Sequence, residues 1–92
     1  MTPVMKAAYM GHRDVVKLLV SEGADVSLVD KYGDNTLHHA CMGGDVEMVK
    51  YVLSLHVVDI DARNKSGLTA AIMARLWGHQ PVVDLLVSRG AQ

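Results

Sequence analysis

Five histidines, one cysteine and ten carboxylates are the side chains through which this 92-residue chain could do acid–base, nucleophilic or metal chemistry. The densest group is His38-His39-x-Cys41. Neutral imidazole and thiolate are zinc ligands, but a structural zinc takes four ligands in tetrahedral array. Adjacent helix positions 38 and 39 point in different directions. No CxxC pair or carboxylate cluster completes a set, so no metal is expected. Asp59 and Asp61 pair in a loop, where turn and surface roles come before acid–base work. His12 and His79 each follow a glycine at repeat spacing and need no catalytic role. The chain holds no GxSxG elbow, no P-loop, no GxGxxG after a strand and no HExxH. Neither a catalytic residue nor a cofactor is expected, and the chain does not read as an enzyme.

The remaining chemistry is recognition. Half the chain is apolar, so a packed core is expected, yet only Tyr9, Tyr32, Tyr51 and Trp77 are aromatic. The core must be aliphatic, which leaves the aromatics to be explained. Nine basic and ten acidic side chains give a net charge of -1. That balance disfavours nucleic-acid binding through phosphate neutralisation. No apolar run approaches the ~18 residues of a membrane span, and the first residues show no secretory signal. A single cysteine cannot form an internal disulfide, and a reducing, intracellular setting is expected.

The elements that position these residues follow from a repeat. Gly11, Gly44 and Gly78 are spaced by 33 and 34 residues, and Gly33 and Gly67 by 34. The apolar quartet Val15-Val16-x-Leu18-Leu19 returns as Met48-Val49-x-Tyr51-Val52 and Val82-Val83-x-Leu85-Leu86. Such a period marks a stacked repeat, here with units of about 2–34, 35–68 and 69–92. Each unit reads as two short helices. The first opens at an N-cap, Thr2, Asn35 or Thr69, with Pro3 suited to the first helical position. It ends near Gly11, Gly44 or Gly78. The second carries Asp14 or Glu47 early, at the positive end of its dipole, with Pro81 in the third copy. Its i, i+1, i+3, i+4 apolar spacing makes one buried stripe. Gly23 and Gly90 end it. Asp30-Lys31-Tyr32-Gly33 and Asn64-Lys65-Ser66-Gly67 suit type I turns in two projecting, β-hairpin-like loops. A lone helix pair cannot bury its stripe, so stacked neighbours must supply the core.

The unit resembles an ankyrin repeat, whose pattern runs close to G-x-T-P-L-H-x-A-A-x-x-G-H, then V-V-x-L-L and G-A-D-V. The copies here begin Thr2-Pro3-Val4-Met5, Gly33-Asp34-Asn35-Thr36-Leu37-His38 and Gly67-Leu68-Thr69-Ala70-Ala71-Ile72. The resemblance covers about the whole chain and implies an all-α solenoid of three helix-turn-helix units in one domain. It also implies that the motif histidine, present only as His38, ties neighbouring loops, with Met5 and Ile72 in its place in the outer units. His56 replaces the helix-ending glycine of the second unit, beside an insertion at Val57 or Val58. A distorted, less stable loop entry is expected there. No polar caps are visible at the ends, so the chain reads as a piece of a longer array with further repeats expected at either end.

The resemblance places partner contacts at the loop tips and the exposed side of the first helices. Those positions are Tyr9, Met10, Met42, Leu76 and Trp77 before the glycines. Around the turns they are Lys31, Tyr32, Asp34, Lys65 and Leu68. Before the motif alanine they include His39 and Met73. The strip is apolar for solvent-facing positions, and Tyr, Trp and Met suit binding hot spots. Tyr51, in the second-helix quartet, is expected to be structural, and Cys41, aligned with Ala8, to be a small packing residue. The function that follows is binding of a protein or peptide without catalysis. Two other readings are structural spacing within an array and a methyl-lysine reader built on the surface aromatics. The second needs at least two rings within ~6 Å of one cation, and Tyr9 and Trp77 are two units apart.

Overall fold

Three side chains start the fold locally. Thr2 Oγ1 accepts the Met5 amide at 3.2 Å, Asn35 Oδ1 the His38 amide at 2.9 Å, and Thr69 Oγ1 the Ile72 amide at 3.3 Å. Each such cap is worth about 1 kcal/mol. They open α1 (Pro3–Tyr9), α3 (Thr36–Gly43) and α5 (Ala70–Leu76) in the computed structural model, which describes residues 1–92. Gly11, Gly44 and Gly78 follow these helices with φ of 77°, 81° and 78°, reversing the chain into the second helices. Those are α2 (Arg13–Ser21), α4 (Val46–Ser54) and α6 (Gln80–Ser88). The all-α architecture expected from the repeat is therefore present. No strand forms. Each projecting loop is a turn closed by Gly33 N–H on Asp30 O, or Gly67 N–H on Asn64 O.

The first helices form one row and the second helices another, with an aliphatic core between. Ala7, Ala8, Ala40, Cys41, Ala71 and Ala74 are small and buried, which lets the rows approach. Val16, Val49 and Val83 repeat one core position, each at most 3% exposed. The neighbouring position behaves differently. Met48 and Val82 are 0% exposed because a preceding unit covers them, whereas Val15 is 45% exposed. At the other end, Arg75 stands exposed where Ala8 and Cys41 are buried. Tyr51 is half-buried against the core, with the Lys17 Nζ 5.5 Å from its ring centroid.

Polar bonds fix how one unit sits on the next. His38 Nδ1 accepts the Asn35 amide at 3.1 Å, so Nε2 carries the proton and donates to the Leu68 carbonyl at 2.9 Å. This is the inter-loop tie implied by the resemblance. Asn64 Nδ2 donates to Asp34 Oδ1 at 2.8 Å, and Lys65 N–H to the Tyr32 carbonyl at 3.0 Å. His79 Nε2 reaches the Met42 carbonyl at 3.0 Å, its ring packed where a Gly44 side chain would stand. Met5 keeps only the local half of the histidine's role, its sulfur 3.4 Å from the Thr2 amide.

The second loop entry departs from its neighbours as expected. His56 has φ 52°, the one positive value outside glycine, where Gly23 and Gly90 have 90° and 95°. After Gly23 and Gly90, Ala24 and Ala91 donate back to Leu19 and Leu86 at 3.0 Å. The residue after His56 makes no such bond. The extra residue before Asp59 displaces the chain from the position where that bond closes.

His56→Gly relieves a left-handed side-chain penalty and should raise unfolding stability by about 1 kcal/mol, read from urea midpoints. An unchanged or lower midpoint would refute the strain. Asn64→Asp keeps the turn-opening acceptor but sets a second carboxylate against Asp34. It should cost about 1–3 kcal/mol in the same measurement, and a neutral result would show that the Asn64–Asp34 bond does not hold the loops together.

Candidate functional site: a pocket across the three units

The ends of the first helices and the first loop line an open pocket of about 600 Å³. Tyr9 stands at the end of α1, Met42 in the last turn of α3, and Trp77 just past α5. The Asp30–Asp34 turn supplies Lys31 and Tyr32 at its rim. A glycine permits this arrangement. Gly43 aligns with Met10 and Trp77, and a Cβ there would fall against the Tyr9 carbonyl. Its bare backbone lets α3 close on α1. Tyr9 and Trp77 line the one pocket, although they belong to units one and three.

The polar part of the wall is built from Asp30, Asp34 and His39. Asp30 opens the turn: its Oδ1 accepts the Tyr32 amide at 2.9 Å and the Asp34 amide at 3.0 Å. Its Oδ2 lies 2.8 Å from His39 Nε2, with both side chains at most 5% exposed. Burial works against the Asp30 charge, but the bonds from His39 and from the Asp34 and Tyr32 amides outweigh it. The carboxyl is thereby held below its ordinary 3.8. Asp34 gives Oδ1 to Asn64, and no hydrogen bond reaches its other oxygen.

This cluster is poorly placed for catalysis or for a metal. His39 Nδ1, the nitrogen left over for a proton transfer, is buried without a partner and cannot reach solvent. Asp30, Asp34 and His39 each offer a ligand atom within 4.8 Å of the others. A cation there would have to break the Asp30–His39 bond and compete with two amides. The His38-His39-x-Cys41 set does not converge: His38 is tied to Leu68, His39 to Asp30, and Cys41 is buried. Burial alone pushes the Cys41 thiol up to about 12, consistent with a packing role.

The pocket unites Tyr9, Lys31, Tyr32, Met42 and Trp77 from the predicted strip, with Asp34 and His39 in its wall. Three of the predicted surface residues are corrected by burial. Asp34 is 7% exposed, His39 3% and Met73 9%. His39 is covered by the preceding turn, to which it is bonded through Asp30, and Asp34 by Asn64 of the next loop. Met10 and Leu76 are exposed outside the pocket, as is Lys65, while Leu68 is half-buried. Asp30 and Met1 line the pocket but were not predicted. One signal for Asp30 was available: an acid nine residues before a histidine occurs here, where the following unit has Asn64 and Met73.

The Asp30 bonds make stability depend on pH. A folded pKa below the unfolded value means that the contribution is complete above about pH 4 and is lost as pH falls through the depressed folded value. Urea midpoints taken near about pH 6 and about pH 3 should fall more for wild type than for Asp30→Asn. Equal acid slopes would remove Asp30 as the source.

Comparison with known proteins agrees with this geometry. The sequence model described as ankyrin repeats in three copies matches residues 4–92. The B-cell lymphoma 3 protein homolog of Mus musculus is 36% identical over 93 residues, covering 98% of this chain and 21% of that protein. NF-kappa-B inhibitor epsilon of Homo sapiens is 29% identical over 99 residues, covering 98% of this chain and 20% of that protein. The chain thus spans about a fifth of the length of these relatives. A chain from the solved complex of a predatory endopeptidase of Bdellovibrio bacteriovorus with an immunity protein superposes with TM-score 0.91 and 30% identity. The match covers all of this chain and 48% of that one. With six helices in three stacked pairs, turn glycines in register and a family match across nearly every residue, the chain belongs to the ankyrin-repeat family.

Proposed function

We propose that this chain binds a protein or peptide through the pocket and the exposed strip around it, without catalysis. Ankyrin repeats are generally protein-interaction modules, and the chain of similar fold comes from a protein–protein complex. The observation that carries the reading is the lining of one 600 Å³ pocket by Tyr9 and Tyr32 of the first unit, Met42 of the second and Trp77 of the third. Tyr32 is 61% exposed and Trp77 53%, which is more apolar surface than folding needs left open. The second-helix core holds these residues on a rigid frame, so little ordering cost attaches to binding. Met10, Leu76, Lys65 and Leu68 extend the contact beyond the pocket. Val15 and Leu18, 45% and 56% exposed, give a separate apolar face at the first unit on which a further repeat would stack. The intracellular setting expected from the single cysteine belongs to the same proposal.

The test is a displayed random-peptide library selected on the wild-type chain, followed by affinity measurement of the selected ligands. Trp77→Ala and Tyr32→Ala should each weaken binding by more than about 1 kcal/mol while leaving the melting transition in place. Ligands indifferent to both substitutions would mean that the strip is not the binding face, and that these repeats serve as spacers.

A further inference from the structure

The pocket wall carries a chemical preference. Asp34 is 7% exposed and lines the pocket, yet only one of its carboxylate oxygens has a hydrogen-bond partner. The Asp30 charge beside it is already met by two amides and His39. Asp34 has only the Asn64 amide. A ligand that covers this oxygen without offering a donor leaves it unsatisfied, and an acidic ligand adds repulsion. Apart from Lys31, the rest of the lining is aromatic or thioether: Met1, Tyr9, Tyr32, Met42 and Trp77. Aromatic faces attract cations, and their flat surfaces suit an aliphatic stem.

We infer that the pocket takes a lysine side chain of the partner, its methylenes against the aromatic rim and its ammonium donating to the free oxygen of Asp34. This rests on the interaction reading above and names the ligand chemistry of the same site. The chain itself shows that the rim accepts an ammonium: Lys31 Nζ lies 5.2 Å from the Tyr32 ring centroid. Lysine fits better than arginine because one free oxygen takes a point donor, whereas a guanidinium is best matched by two parallel acceptors. It fits better than trimethyl-lysine because three methyl groups remove every N–H that Asp34 could accept. Lys31 opposes the ligand, since it holds the same charge at the rim of the same pocket. A partner led by acidic residues would instead be helped by Lys31.

The test uses an acetylated pentapeptide amide with lysine between two glycine pairs, titrated against the intact chain. Trp77 is the one tryptophan, so its emission reports on the pocket. The free-lysine peptide should quench or shift that emission to saturation. The same peptide with Nε-acetyl-lysine, which has lost its charge, should bind at least about tenfold more weakly. Trimethyl-lysine and arginine peptides should fall between, and a glutamate peptide should not bind. Asp34→Asn keeps an acceptor for Asn64 and should lose about tenfold toward free lysine only. Lys31→Met should tighten lysine binding roughly two- to fivefold.

No preference for free over acetylated lysine overturns the proposal without recourse to any variant. So does arginine or trimethyl-lysine binding as tightly as lysine, weaker binding by Lys31→Met, or binding that appears only with added zinc. If library-selected ligands depend on Trp77 but carry no lysine that senses Asp34, the lysine assignment fails and the interaction reading stands. If neither the pentapeptides nor any selected ligand senses Trp77, both fail.

Discussion

Val15, Met48 and Val82 hold the same place in three successive helix pairs, and their exposures of 45%, 0% and 0% show what the fold rests on. No pair buries its own apolar stripe. Met48 is covered by the first unit and Val82 by the second, and complete burial of such a side chain is worth about 1.5–3 kcal/mol. Stability therefore resides between units as much as within them, as expected of a quasi-one-dimensional stack. Small residues make the contact close enough to matter. Ala8, Ala40, Cys41 and Ala74 are each 0% exposed, and Gly43 lies where even one methyl group would meet the backbone of α1.

Apolar contact alone would leave the units free to slide. Register is set by directional bonds at the loop end of the stack: His38 to the Leu68 carbonyl, Asn64 to Asp34, and the Lys65 amide to the Tyr32 carbonyl. The side chains of His38, Asn64 and Asp34 are buried or half-buried, so a misplaced unit would leave them unpaired at a cost of about 1–3 kcal/mol each. The same bonds build the pocket. The turn that presents Lys31 and Tyr32 is held from within by Asp30 and from the next loop by Asn64. His39 pins it to α3 through Asp30. Recognition surface and stacking device thus share residues. A change to Asn64 or Asp30 should therefore disturb both stability and the shape of the pocket.

Much of the fold was legible in the sequence because its causes are local. Thr2, Asn35 and Thr69 act through amides three residues away, and Asp30 and Asn64 through amides two and four residues away. The glycine spacing and the Val-Val-x-Leu-Leu quartet fixed the unit length, and the His56 departure marked the one helix end that closes differently. These features depend on residue type and short separation, which a single chain displays directly.

What the sequence could not display is contact across units. Asp34, His39 and Met73 fall at positions expected to face solvent, yet the folded chain buries them. Tyr9 and Trp77 are 68 positions apart in the numbering, yet both line one pocket. The negative charge of that pocket comes from Asp34, which the predicted strip included, and from Asp30, which read in the sequence as an ordinary turn residue. The sequence by itself determined the repeat, its caps, its turns and its aliphatic stripe, because each follows from chain-local hydrogen bonding and periodicity. Only the tertiary structure decided which aromatics share a wall and which carboxylate keeps a free oxygen. Those outcomes depend on the offset between stacked units, set by backbone contacts and bonds spanning 30 residues or more.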